Sequence, residues 1–192
     1  MDIVQRVQSI LLRPKEEWAK IKAEPTTIAG LYTSYIMILA AIPAGFEFLR
    51  RILIERLPVI GHWPVGRALA SAVISYVLTL VSVYLFALII NELAPTFSSA
   101  KNMTNALKLV VYSMTPAWLA GLLSIVPGLW SLSVVASLYG IYLLYLGFDA
   151  PMMETPKDKI PGYMALSIVA VVVIYVVLSV VQGTFAVRYG RL

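Results

Sequence analysis

Apolar residues in this chain collect into long blocks separated by short polar connections. Thr27 to Leu49 forms one block, interrupted only by Glu47 near its end, and Ala68 to Ile90 forms another. From Leu109 to Phe148 there is no Asp, Glu, Lys, Arg or His, with Lys108 and Asp149 closing the run on either side. Tyr163 to Phe185, with the β-branched core SIVAVVVIYVVLSVV, is the last. A helix needs about 20 apolar residues to cross a hydrocarbon core of about 30 Å. The uncharged run is therefore long enough for two crossings. The dipeptide Pro127–Gly128 divides it, because proline lacks the N–H that continues a helix and glycine accepts the angles of a tight turn. A kinked or re-entrant segment is the alternative reading of the same stretch. The pattern predicts an all-α bundle of five transmembrane helices, with spans at about 27–49, 68–90, 107–126, 129–148 and 163–185 of a domain covering 25–192.

Residues 1–24 follow a different rhythm. Ile3, Val4, Val7, Ile10, Leu11, Pro14, Trp18 and Ile21 recur at three- and four-residue steps, while Arg13, Glu17 and Lys20 fall outside that stripe. Pro14 breaks a continuous helix and suits the first position of a second one. Glu16 and Glu17 then lie in its first turn and Lys20 and Lys22 near its end, the order that the helix dipole favours. The segment reads as an amphipathic, interfacial helix pair on the cytoplasmic face. Either it packs across the inner mouth of the bundle, or Pro14, Trp18 and Lys20 form a contact for a cytosolic protein or the membrane interface.

Composition agrees with a membrane solvent. Of 192 residues, 60% are hydrophobic and 13% charged, against roughly 25% charged in a soluble domain. With no cysteine, disulfides, thiolate metal sites and cysteine nucleophiles are excluded. The net charge of +5 is scattered over the connections, not gathered into a nucleic-acid-binding stripe. Nine Lys and Arg residues fall on the side of the N-terminus (Arg6, Arg13, Lys15, Lys20, Lys22, Lys101, Lys108, Lys157, Lys159) and six on the other (Arg50, Arg51, Arg56, Arg67, Arg188, Arg191). That bias predicts a cytoplasmic N-terminus and an external C-terminus. The first apolar run follows an acidic KEEW and is long enough to span, so it reads as a retained helix and not a cleaved signal.

Polar residues inside the spans are few. Ser71, Ser75, Thr79 and Ser82 share a face of the second span, and Ser133, Ser137, Gly140 and Gly147 share one on the fourth. Such stripes let helices approach closely; alternatively, Ser75, Thr79 and Ser137 line a hydrated groove. Tyr139, Tyr142 and Tyr145 at three-residue steps fill an interface or reach the boundary. Glu47 is positioned to pair with Arg50 and Arg51, and Pro43 to bend the first span. Glu92 and Asp149 end the second and fourth spans at one level, as boundary residues or as a mouth for a cation or proton. His62 is the only histidine, and no GxSxG, HExxH, Walker or Rossmann pattern occurs. The expectation is a protein without catalytic residues, metal or cofactor.

The stretches RPKEEW, Arg13 to Trp18, and YSMTPAWLAGLLSIVPGLWSLSVVASLYGIYLLYLGF, Tyr112 to Phe148, resemble the Yip1 domain family. The resemblance implies an integral membrane protein with a cytoplasmic N-terminus and five clustered spans, of the compact prokaryotic type in the cytoplasmic membrane. Eukaryotic members carry a long cytosolic region with a DLYGP-type motif, bind Rab-type GTPases and act in vesicle traffic. This sequence lacks both the region and the motif, so the resemblance does not extend GTPase binding to it. The expected function is a non-enzymatic adaptor or scaffold, assembling with lipids, with itself, with other membrane proteins or with a cytosolic protein at residues 1–24. The alternative is a small oligomeric transporter or channel for a cation, proton or lipid-like solute.

Overall fold

The computed structural model describes residues 2–53, 65–126, 128–150 and 152–189. Pro127, His62, Arg56 and Arg191, named above, lie outside the described residues. Every described element is helical. Helices α1 (Ile3–Leu12) and α2 (Pro14–Ala23) form a short hairpin. Five apolar helices follow, each long enough to cross a membrane: α3 (Ile28–Leu53), α4 (Val65–Leu93), α5 (Met103–Ala120), α6 (Trp130–Asp149) and α7 (Ile160–Tyr189). The chain is thus an integral membrane bundle of five spanning helices behind a short N-terminal helical pair.

Local chemistry sets the element boundaries. Pro14 occupies the first position of α2, where its missing N–H costs nothing. The hydroxyl of Thr27 accepts from Gly30 N and caps α3, and the side chain of Asn102 accepts from Asn105 N and caps α5. Within α3 a π-helical turn spans Tyr32–Ile36 and Pro43 sits mid-helix. After α5 the chain tightens into a 3-10 segment, Gly121–Ile125, and Gly128 adopts φ +95°, a left-handed angle suited to glycine.

Helix α5 is the axis of the bundle. It packs against α3, α4 and α6, and its buried residues run almost without a break from Ala106 to Ala120. Helix α7 leans mainly on α4 and leaves Val169, Val172, Val173 and Val176 exposed, as expected of a lipid-facing surface. Glycine makes the α5–α6 contact close. A Cβ on Gly140 would stand 2.7 Å from the Ser113 carbonyl oxygen, and one on Gly147 would stand 2.3 Å from a Leu109 methyl. The pairing of 113 with 140 and 109 with 147 makes the two helices antiparallel. Gly121 likewise sits on Pro43, at 2.7 Å for a Cβ, so the end of α5 rests against the proline of α3. The small-residue stripe on α6 is a packing surface at its two glycines.

One end of the bundle is held by loop contacts. Ala100 N donates to Met153 O (2.9 Å), Ser99 Oγ to Thr155 Oγ1 (2.9 Å), and Asn105 Nδ2 to Met152 O (3.1 Å). The ring of Phe97 stacks on Tyr163 at 4.7 Å, and the Tyr163 hydroxyl donates to Ile90 O. At the opposite end Glu47 accepts from Arg50 (3.0 Å) and Arg51 (2.8 Å), and Arg51 also donates to Ser71 Oγ (2.9 Å), tying α3 to α4.

These contacts separate two glycines by their surroundings. Gly140→Ala meets backbone that cannot rotate away, and overpacking of this kind costs about 1–3 kcal/mol. Gly45, on α3, has nothing within 4 Å of a Cβ, and Ala there gains about 0.5–1 kcal/mol of helix propensity. Thermal unfolding of the detergent-solubilised variants is expected to show a clear fall for Gly140→Ala and no fall for Gly45→Ala.

Candidate functional site

The largest concentration of buried charge lies where the α1–α2 hairpin enters the bundle. Arg6 is 5% exposed and Glu17 1% exposed, values that are costly unless the charges are paired. They pair with each other, Arg6 Nη1 to Glu17 Oε1 at 2.5 Å, and Arg6 also donates to the Glu24 carboxylate. The guanidinium lies over the Tyr112 ring at 5.7 Å, a cation–π contact. Tyr112 in turn meets Tyr35 edge-on at 4.9 Å and Trp18 at 6.2 Å. One cation thereby joins α1, both ends of α2 and the central helix.

Lys108 supplies a second link. Its ammonium donates to the carbonyls of Ile21 (2.7 Å) and Glu24 (2.6 Å), which are left without partners where α2 ends. A cation at that terminus also suits the helix dipole. Tyr139 provides a third link, its hydroxyl donating to Leu11 O at 2.6 Å where α1 ends. At a rise of 1.5 Å per residue, Tyr112 lies roughly 13 Å along α5 from Met103. The charges thus sit among the spanning helices, where an ionisable group needs an internal partner. A small polar cavity of about 90 Å³, lined by Arg6, Glu24, Ser34, Tyr35, Lys108 and Tyr112 among others, lies beside the network.

The residues expected to make contacts are distributed differently from the sequence reading. Trp18 is 0% exposed: a Cβ on Gly147 would stand 2.9 Å from its ring, so the indole fills the space that this glycine leaves. The expectation that Trp18 touches a partner or the membrane interface is corrected, because a fully enclosed side chain is a bundle contact. Pro14 is half-buried, and Lys20 is exposed, with its ammonium 3.4 Å from Glu17. Glu17, placed by its period on the polar face, is instead buried against Arg6. Lys108, counted above with the connecting segments, belongs to the second turn of α5.

Glu92 and Asp149 each lie at the surface with a lysine of their own, Lys101 at 2.5 Å and Lys157 at 3.9 Å. Exposed pairs of this kind contribute little. Among the described residues, no group of three or more His, Asp or Glu side chains is placed to hold a metal ion. The structure does not bring Ser75, Thr79 and Ser137 into one groove. Thr79 donates to the Ser75 carbonyl along α4, while Ser137 faces a separate apolar cavity with Ser82 and Ser113. Arg6, Glu24 and Ser113 carried no signal in the single-helix pattern; Lys108 did, since Asn102 is a legible cap that starts α5 early enough to enclose it.

A family model described as Yip1 domain matches residues 9–180. The chain is also 25% identical over 184 residues to the inner membrane protein YohC of Escherichia coli strain K12, an alignment covering 92% of this chain and 93% of that protein. The same figures hold for the inner membrane protein YohC of Escherichia coli O6:H1 strain CFT073. No solved structure matches the chain.

The absence of native cysteine makes the hairpin's attachment measurable. Ile21→Cys, at a position 1% exposed, is expected to resist maleimide, while the exposed Ala19→Cys reacts at once. Removing one partner of a buried ion pair costs about 3 kcal/mol or more. Adding Arg6→Met should therefore raise the labelling rate at Ile21→Cys roughly a hundredfold, with α5 still folded.

Proposed function

We propose that this chain, which belongs to the Yip1 domain family, works as a non-enzymatic binding protein of the cytoplasmic membrane that presents its α1–α2 hairpin to a partner. The printed name of the similar Escherichia coli protein, an inner membrane protein, supports the location. Counting Lys and Arg without Lys108 leaves eight against six (nine minus one), which still supports a cytoplasmic N-terminus.

The observation that carries the reading is the division of the hairpin into a fixed face and a free one. Arg6, Ile10, Trp18 and Ile21 are buried against the bundle, and Lys108 and Tyr139 hold the ends of the two helices. Lys15, Glu16, Ala19 and Lys20 are exposed, with Pro14 at their edge. A surface ordered before binding loses little conformational entropy when a partner arrives. The lysine-paired, surface positions of Glu92 and Asp149 weigh against a conducting mouth.

The test separates the two faces. After brief crosslinking in cells, the full-length chain should recover a near-stoichiometric protein partner from its native membranes. Lys15→Glu with Ala19→Arg, both exposed and outside the buried network, should reduce that recovery at least tenfold while thermal stability stays unchanged. Recovery of the chain alone, together with cation or proton flux in reconstituted vesicles, would contradict the binding role and favour transport.

A further inference from the structure

The network that holds the hairpin also sorts its charges. In sequence, residues 2–24 are nearly balanced, with Arg6, Arg13, Lys15, Lys20 and Lys22 against Asp2, Glu16, Glu17 and Glu24. In the fold, Arg6 takes Glu17 and Glu24, and the Lys108 ammonium beside them makes the enclosed network neutral. The outer surface keeps Arg13, Lys15, Lys20 and Lys22, with only Asp2 and Glu16 against them. Burying two carboxylates therefore leaves the hairpin's outside cationic.

The excess is sharpest at the turn between α1 and α2, where Arg13 and Lys15 flank Pro14. Both are exposed, and neither has a carboxylate partner among the described residues. Next to them Leu12, at 78%, is the most exposed large apolar side chain among the described residues. Unpaired cations beside a protruding leucine suit the border of a membrane, where the apolar group and the charges each find their own solvent.

Contacts with α6 put the turn beside lipid. The Tyr139 hydroxyl holds Leu11 O, and Trp18 packs at Gly147. Both tyrosine and glycine belong to the span Ser131–Asp149, so the hairpin lies against the side of a spanning helix and not beyond its end. On the same helix Tyr142 and Tyr145 are exposed, and the Tyr142 ring is 5.7 Å from that of Tyr139. Tyrosines, apolar at one end and polar at the other, gather where hydrocarbon meets head groups. A zwitterionic head group brings no net charge to Arg13 and Lys15, whereas an anionic one complements them. We propose that the α1–α2 turn docks on anionic phospholipid, with Arg13 and Lys15 on the head-group phosphates and Leu12 among the upper acyl carbons. The outer face of α2, assigned above to a protein partner, adjoins this site. The test below contains no such partner, so the two readings fail separately.

The full chain with Leu12→Cys, carrying bimane as an apolar label in place of the leucine, is reconstituted in phosphatidylcholine vesicles holding a minority of phosphatidylglycerol. Bromine on the acyl chains of one lipid or the other quenches the label where that lipid touches it. Phosphatidylglycerol is expected to be enriched about tenfold around the label relative to its share of the vesicle. Arg13 is exposed and its side chain unbonded, so Arg13→Gln leaves the fold in place. It should cut the enrichment about fivefold, the effect of one cation beside an anionic surface. Lys157→Gln, at an exposed cation near Asp149, should leave it unchanged. Added salt, which screens exposed charge, should lower the enrichment in the parent chain. No quenching by either lipid, equal enrichment of both, or an enrichment that Arg13→Gln leaves intact overturns the proposal. So does an equal loss in Lys157→Gln, which would make the preference one of net charge alone.

Discussion

Two cations drawn in among the spanning helices hold this structure's N-terminal end. Arg6 enters the bundle on α1 and meets two carboxylates, Glu17 and Glu24, that α2 supplies from its beginning and its end. Lys108 approaches from the central helix and takes up the carbonyls that α2 leaves open. Neither cation could stay buried without the hairpin, and the hairpin's polar terminus could not be buried without them. The consequence is cooperative: a short segment that would be marginal as an isolated helix pair becomes part of the bundle wall.

This arrangement depends on the close contact of α5 with α6. Gly147 leaves the volume that Trp18 occupies, and Trp18 and Tyr35 meet edge-on the Tyr112 ring over which the Arg6 guanidinium lies. Gly140 brings α6 against the Ser113 carbonyl one face away, and the same approach shapes the apolar chamber toward α4 and α7. Packing and polar chemistry are therefore coupled through one pair of helices. Small residues set the spacing, and the spacing fixes which polar groups find partners.

Much of the architecture was legible in the sequence because lipid imposes a simple rule on length and polarity. The five spans, the break at Pro14 and the Glu47 pair with Arg50 and Arg51 all follow from local spacing. What escaped was decided by a third element. A helical wheel assigns Glu17 to the polar side of α2 because it knows only one apolar face, whereas α2 packs on both α1 and α6 and has two. Trp18 fits an interfacial belt equally well until Gly147 is known to leave a socket for it. Pairings between residues far apart in sequence, such as Arg6 with Glu17 or Tyr139 with Leu11, carry no mark in single-sequence periodicity.

The central claim is that residues 3–24 are a fixed wall of the bundle, held by buried charge. Hydrogen exchange of their backbone amides, measured by mass spectrometry on the full chain in nanodiscs, tests it most directly. The account predicts protection of α1 and α2 comparable to that of α5, and its selective loss when Lys108 is replaced by methionine. Rapid exchange throughout residues 3–24 in the wild type, unchanged by that substitution, would describe a helix pair resting loosely on the membrane surface and would contradict it.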